Sequence, residues 1–142
     1  MQELAIKDLT ENFFEAIGKE WMLVTSGSKE KFNTMTASWG GIGFLWNKAV
    51  AFIFIRPERY TYEFIEKNDM LTLSFLGSGN RSIYNICGSK SGRDTDKIKE
   101  CGLTLRRGAG DAPFFDEAEW VLVCKKAYVQ DLDAACVLDA RI

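Results

Sequence analysis

The sequence predicts a mainly β fold, an antiparallel β-barrel with flanking short helices, from three observations: strand-like runs outnumber helical ones, the helical runs are short, and strands do not alternate with long helices as in a parallel sheet. The first strand is Trp21–Thr25 (WMLVT), and the turn-rich stretch after it, residues 26–31, predicts a hairpin. Thr34–Trp39 (TMTASW) has the β-branched and aromatic character of a second strand, and Gly40, Gly41 and Gly43 after it predict a bend or a close backbone approach. Ala49–Ile55 (AVAFIFI) is an apolar run of strand length, expected to be buried on both faces. Pro57 ends it, and residues 58–67 carry Tyr60, Phe64 and Ile65 at helical spacing, with Pro57 suited to the first helical turn. Met70–Leu76 reads as another buried strand. A helix over Arg81–Cys87 follows, then a polar loop and a short helix from Asp94 as N-cap to Glu100, stopped at Gly102. Trp120–Val129 reads as the last strand, and no segment repeats.

At 142 residues the chain is expected to be a single domain over residues 1–142, and its 46% hydrophobic and 27% charged residues allow a sizeable core and exclude a disordered chain. The net charge is −2, and the basic residues are scattered among acidic ones, which argues against nucleic acid as a partner. No apolar run approaches the roughly 20 residues that cross a bilayer, so no membrane partner is expected. The first residues have neither a basic nor a hydrophobic leader region, so a cytoplasmic location is expected. Cys87, Cys101, Cys124 and Cys136 show no CxxC pair and no zinc-ligand spacing, so they read as reduced packing residues and no metal is expected. Histidine is absent altogether, which removes the commonest general base and metal ligand. Any enzymatic chemistry then belongs to a cofactor.

Three segments are candidates for binding one. In Ile55–Tyr62 (IRPERYTY) a strand runs into a helix start, where unpaired backbone N–H groups favour phosphate; Arg56 and Arg59 add cations, Tyr60 and Thr61 hydroxyls. The same arginines could instead pair with Glu58 and Glu63 on a solvated surface. Asn33–Gly41 (NTMTASWGG) offers an amide, hydroxyls, an indole and glycines to a planar heterocycle, or else is a half-buried strand with Trp39 in the core. Gly88–Lys97 (GSKSGRDTDK) could wrap a ligand edge, or be a plain loop before a capped helix.

In this order the segments resemble the flavin reductase-like, FMN-binding split-barrel family, above all its flavoredoxin-type branch. The matching motifs are N-x-M-T-A-x-W-G-G at Asn33–Gly41, an arginine followed by R/T-Y-T and a helix at Arg56–Thr61, and S-G-R-D-x-D-K at Ser91–Lys97; the likeness runs from Gly18 to Tyr128. The resemblance implies a six-stranded Greek-key barrel that forms a homodimer, with FMN at or near the dimer interface. By that analogy Asn33, Thr34, Met35, Thr36, Ser38 and Trp39 line the isoalloxazine and ribityl chain, and Arg56, Arg59, Tyr60 and Thr61 hold the phosphate. Lys90, Ser91 and Gly92 close over the flavin, while Asp94 and Lys97 fix that loop. No catalytic side chain is singled out. The implied activity is hydride transfer from NADH or NADPH to FMN and onward transfer to a flavin or a redox protein acceptor; a carrier serving protein partners alone is the alternative. Family members usually continue into a further strand with a histidine and an Ile-Gly pair, so the resemblance also implies a barrel short of its last strand, and a truncated binding fold of weak flavin affinity is a further alternative.

Overall fold

The computed structural model describes residues 2–142. A single helical turn, α1 (Phe13–Glu15), runs into a π-helical turn over Ala16–Glu20 and then into strand β1 (Met22–Gly27). The remaining elements are β2 (Phe32–Ala37), β3 (Gly40–Leu45), β4 (Lys48–Ile53), α2 (Tyr60–Lys67), β5 (Met70–Phe75), α3 (Arg81–Ser89), α4 (Lys97–Cys101), β6 (Leu105–Arg107), β7 (Pro113–Phe115) and β8 (Trp120–Lys125). All strand pairs are antiparallel: a four-stranded sheet in the order β2-β1-β5-β8, and the two-stranded pairs β3-β4 and β6-β7. Mainly antiparallel strands with short helices are what the sequence predicts.

Alternation along the central strands sorts the core into two clusters. Met22, Val24, Met35, Ala37, Leu71, Leu73 and Phe75 point to one side, where Ala51, Ile53 and Ile55 cover them. Leu23 points to the other, against Leu76, Tyr84, Cys87 and Phe115, so α3 and α4 close that side. Phe75 and Trp120, register partners on β5 and β8, stack at 3.7 Å with ring planes 4° apart. The helices pack around β2: α2 contacts β1 and β2, and α3 contacts β2. Among the described residues β2 pairs only with β1, so its outer edge is free.

The glycines after Trp39 give the close backbone approach expected of them, within a strand of their own: Gly40–Leu45 is β3, and a Cβ on Gly40 (φ +143°) would lie 2.5 Å from the Phe52 carbonyl oxygen. Four sequence expectations need correction. The Ala49–Ile55 run is not buried on both faces. With only β3 beside it, Ala51, Ile53 and Ile55 face the core while Phe52 and Phe54 remain almost half exposed. Pro57 lies before the first turn of α2, whose N-cap is the extended Arg59. The cap of α4 is Asp96, whose side chain accepts from the Lys99 N–H; the Asp94 N–H instead closes a turn onto the Ser91 carbonyl. Gly102 ends α4 in the left-handed conformation, as expected. The last strand stops at Lys125, four residues before the predicted end at Val129.

Candidate functional site

The exit of β2, the start of α2 and the end of α3 meet at the free edge of the main sheet. Each is held by a local cause. Thr36 donates its hydroxyl proton to the Tyr84 carbonyl at 2.6 Å, and a Cβ on Gly88 would lie 3.2 Å from Thr36 Cβ, so α3 sits flush against the strand. Asn33 Nδ2 donates to Thr61 Oγ1 at 2.8 Å inside the protein, which fixes the first turn of α2 to β2. A cleft of about 290 Å³ opens there, lined by Trp21, Thr36, Ser38, Arg59, Tyr84, Gly88 and Ser89.

The two arginines have no carboxylate within ion-pair distance among the described residues. Glu63, the acid expected to compete for them, pairs with Arg93 at 3.5 Å instead. The Arg56 guanidinium lies over the Trp39 indole, 5.2 Å from its centroid, and Trp39 is 56% exposed, so the indole is a surface aromatic and not a core residue. Arg59 reaches under it and donates to the Cys87 carbonyl at 3.3 Å. Burial, and next the charge of Arg56, lowers the proton affinity of Arg59, with Glu58 offsetting part of the effect. Lys97, almost wholly buried, donates to the same Cys87 carbonyl at 3.1 Å. Two cations therefore meet the C-terminal carbonyls of α3, where the helix dipole favours positive charge. Burial brings the Lys97 ammonium down to about 8, with Arg59 adding to the fall and Cys87 opposing it. The buried Cys87 thiol is pushed up to about 12 by desolvation, so it stays protonated.

The structure separates the predicted residues into two sets. Thr36, Ser38, Trp39, Arg56, Arg59 and Tyr60 retain surface at this corner, as do Lys90, Ser91 and Gly92 in the neighbouring loop. Asn33, Thr34, Met35 and Thr61 are buried. Thr34 shares a hydroxyl hydrogen bond with Thr25 at 2.9 Å, Met35 lies in the core, and Asn33 and Thr61 satisfy each other. These contacts hold the strand and helix in place. In the loop, Lys90 forms an ion pair with Glu100, and Gly92 packs so tightly on Asn33 that a Cβ would come within 2.1 Å of its Oδ1. Arg93 lies over the Tyr60 ring at 4.7 Å and donates to the Glu58 carbonyl at 3.3 Å, drawing the loop onto α2. Lys97 ties α4 to α3 beneath it, the fixing role expected of it.

A family model described as "Flavin reductase like domain" matches residues 14–138. The chain belongs to the flavin reductase-like domain family. Solved structures with the same fold include flavoredoxin of Desulfovibrio vulgaris (Miyazaki F), at 22% identity and a TM-score of 0.72, covering 97% of this chain and 80% of that one. An FMN-binding protein from Thermus thermophilus matches at 20% identity and a TM-score of 0.72, covering 93% of this chain and 72% of that one. The FMN-binding domain of a flavin reductase-like enzyme from Shewanella baltica OS155 matches at 24% identity and a TM-score of 0.66, covering 79% of this chain and 60% of that one. At these identities the likeness establishes the split-barrel fold. No curated protein matches the sequence.

The candidate segments covered the β2, α2 and Gly88–Ser89 parts of the cleft lining but not Trp21, Tyr84 and Asn85. The sequence carries one usable signal for α3: Gly88 lies in a helix that would be better formed by alanine, and it does so because β2 is too close for a side chain.

Proposed function

We propose that the chain binds FMN non-covalently at this corner and passes electrons through it. The observation that carries the reading is the pair of guanidiniums, Arg56 and Arg59, left without a carboxylate beside an exposed indole and a free strand edge. Uncompensated cations that repel each other at a half-buried site are stabilised by a dianion, and a phosphate monoester on a flat heterocycle satisfies both features. Arg56 and Arg59 would hold the phosphate, with Tyr60 at the helix start. Trp39, Thr36 and Ser38 would flank the ring and ribityl chain, and Lys90, Ser91 and Gly92 would close the side.

The chemistry FMN supplies is acceptance of a hydride from NADH or NADPH at N5 and its onward release as electrons to a free flavin or a redox protein. The chain's residues contribute position, desolvation and positive charge, and no acid or base of their own. The four cysteines are free thiols, which suits a cytoplasmic setting. Among the described residues no helix is long and apolar enough to cross a membrane. The β3–β4 hairpin and the residue after it leave Phe44, Trp46, Phe52 and Phe54 between 44% and 73% exposed, and these exposed aromatics are the surface we assign to the homodimer.

Three measurements test the proposal. The absorption spectrum of the purified protein should carry flavin bands, with FMN released on denaturation; a colourless protein that also fails to quench added FMN refutes the reading. Stopped-flow mixing of the loaded protein with NADH or NADPH should bleach the bands at catalytic rates, whereas absence of bleaching assigns the chain to carriers reduced by other proteins. Light scattering should give a dimer that Phe44→Ser with Trp46→Ser dissociates, and a wild-type monomer refutes the assignment of that face.

A further inference from the structure

Trp21 lies between the π-helical turn and β1 with φ 77° and ψ 172°, a backbone conformation that is essentially glycine's alone. For a tryptophan it costs roughly 1–3 kcal/mol, and such a conformation persists only where the surroundings enforce it. Here they do. The Arg81 guanidinium lies 3.8 Å from the centroid of the indole while donating to the Lys19 carbonyl at 2.6 Å, and the Tyr84 ring meets the indole edge-on at 6.3 Å. A cation and an aromatic ring therefore brace a side chain whose backbone would relax if it were released. π-helical turns, like backbone outliers, gather at functional sites. Trp21 is also part of the wall of the cleft that holds Thr36, Ser38 and Arg59.

We infer that Trp21 is a ring-contact residue of the flavin site: its indole, beside the exit of β2, contacts the isoalloxazine, and the strained backbone sets its angle. The inference rests on the FMN reading and adds an aromatic contact outside the three motifs. It divides recognition between two places, the phosphate at Arg56 and Arg59 and the heterocycle at Trp21. Arg81 acts through Trp21 as its positioning residue.

The division can be measured with FMN and riboflavin, which share the ring and differ in the phosphate. Trp21→Gly should weaken both ligands by the same factor, roughly tenfold to a hundredfold, the range for losing one aromatic stacking partner. Trp21→Tyr should retain most of the affinity for both. Arg59→Ala should weaken FMN and leave riboflavin unchanged. Because glycine accepts the φ of Trp21 and alanine does not, Trp21→Gly should melt at or above the temperature of Trp21→Ala. Wild-type affinity for both flavins in Trp21→Gly overturns the proposal while leaving FMN binding intact, and so does a loss confined to FMN. A wild-type protein that binds neither flavin overturns both readings.

Discussion

Replacing Arg59 by methionine keeps most of the length and apolar packing of the side chain and removes its charge. Among the described residues the Arg59 side chain makes one hydrogen bond, to the Cys87 carbonyl at 3.3 Å, and that carbonyl keeps Lys97 as a donor at 3.1 Å when Arg59 is gone. No carboxylate loses a partner, and the repulsion between Arg56 and Arg59 disappears. The stability of the ligand-free protein should therefore change by less than about 1 kcal/mol, with a gain the more natural sign, because an incompletely solvated cation has been removed. FMN affinity should behave differently. A charge-assisted hydrogen bond contributes about 1.5–3 kcal/mol, so Kd should rise roughly tenfold to 150-fold, and the salt dependence of binding should flatten. Quenching of flavin fluorescence gives Kd, and urea titration gives the stability. Unchanged affinity would remove the phosphate from Arg59; a collapse of stability matching the loss of affinity would make Arg59 a structural residue and the argument from its missing partner wrong.

Thr61→Val preserves shape but orphans the buried Asn33 Nδ2, and should cost about 1–3 kcal/mol of stability in chemical denaturation; a neutral result would mean that the amide finds another acceptor. Lys97 has its proton affinity lowered by burial, to about 8 from the 10.5 of an unfolded chain. Between those two pH values the unfolded chain holds the extra proton, so the stability of wild type relative to Lys97→Met should rise with pH through that window and be lowest below it; a flat difference would place the ammonium in water. Gly40→Ala should destabilise by more than about 1 kcal/mol, since φ is +143° and the Phe52 carbonyl leaves no room for a methyl, and a thermal melt equal to wild type would contradict the β3–β4 register.

The strands of the main sheet were legible because WMLVT, TMTASW and MLTLSFL are short, β-rich and bounded by turn residues. The hairpin β3–β4 was read only in half. GGIGFL has three glycines in six residues and little strand propensity of its own, and pairing with β4 overrides that weakness. AVAFIFI looked fully buried because its outward residues are as apolar as its inward ones, which is also why Phe52 and Phe54 are left as exposed aromatics. The short strands β6 and β7 have three residues each and leave no periodicity to detect. At the site, sequence order located the right corner of the fold but could not separate residues that touch a ligand from those that align them. Asn33 and Thr61 belong to one motif each, and only the fold shows that each is the other's hydrogen-bond partner. Trp21 was read as the first residue of a strand, and its left-handed backbone has no counterpart in composition or spacing.

Arg93 bears on residence time. It fastens the 90–96 loop to α2 through a ring, a carboxylate and a carbonyl, all three at the protein surface, where ion pairs and cation–π contacts contribute at most about 1 kcal/mol each. A fastening of that strength opens often. On the proposed reading, a nucleotide seated under the loop leaves only when this fastening opens, so Arg93 sets its release and not its recognition.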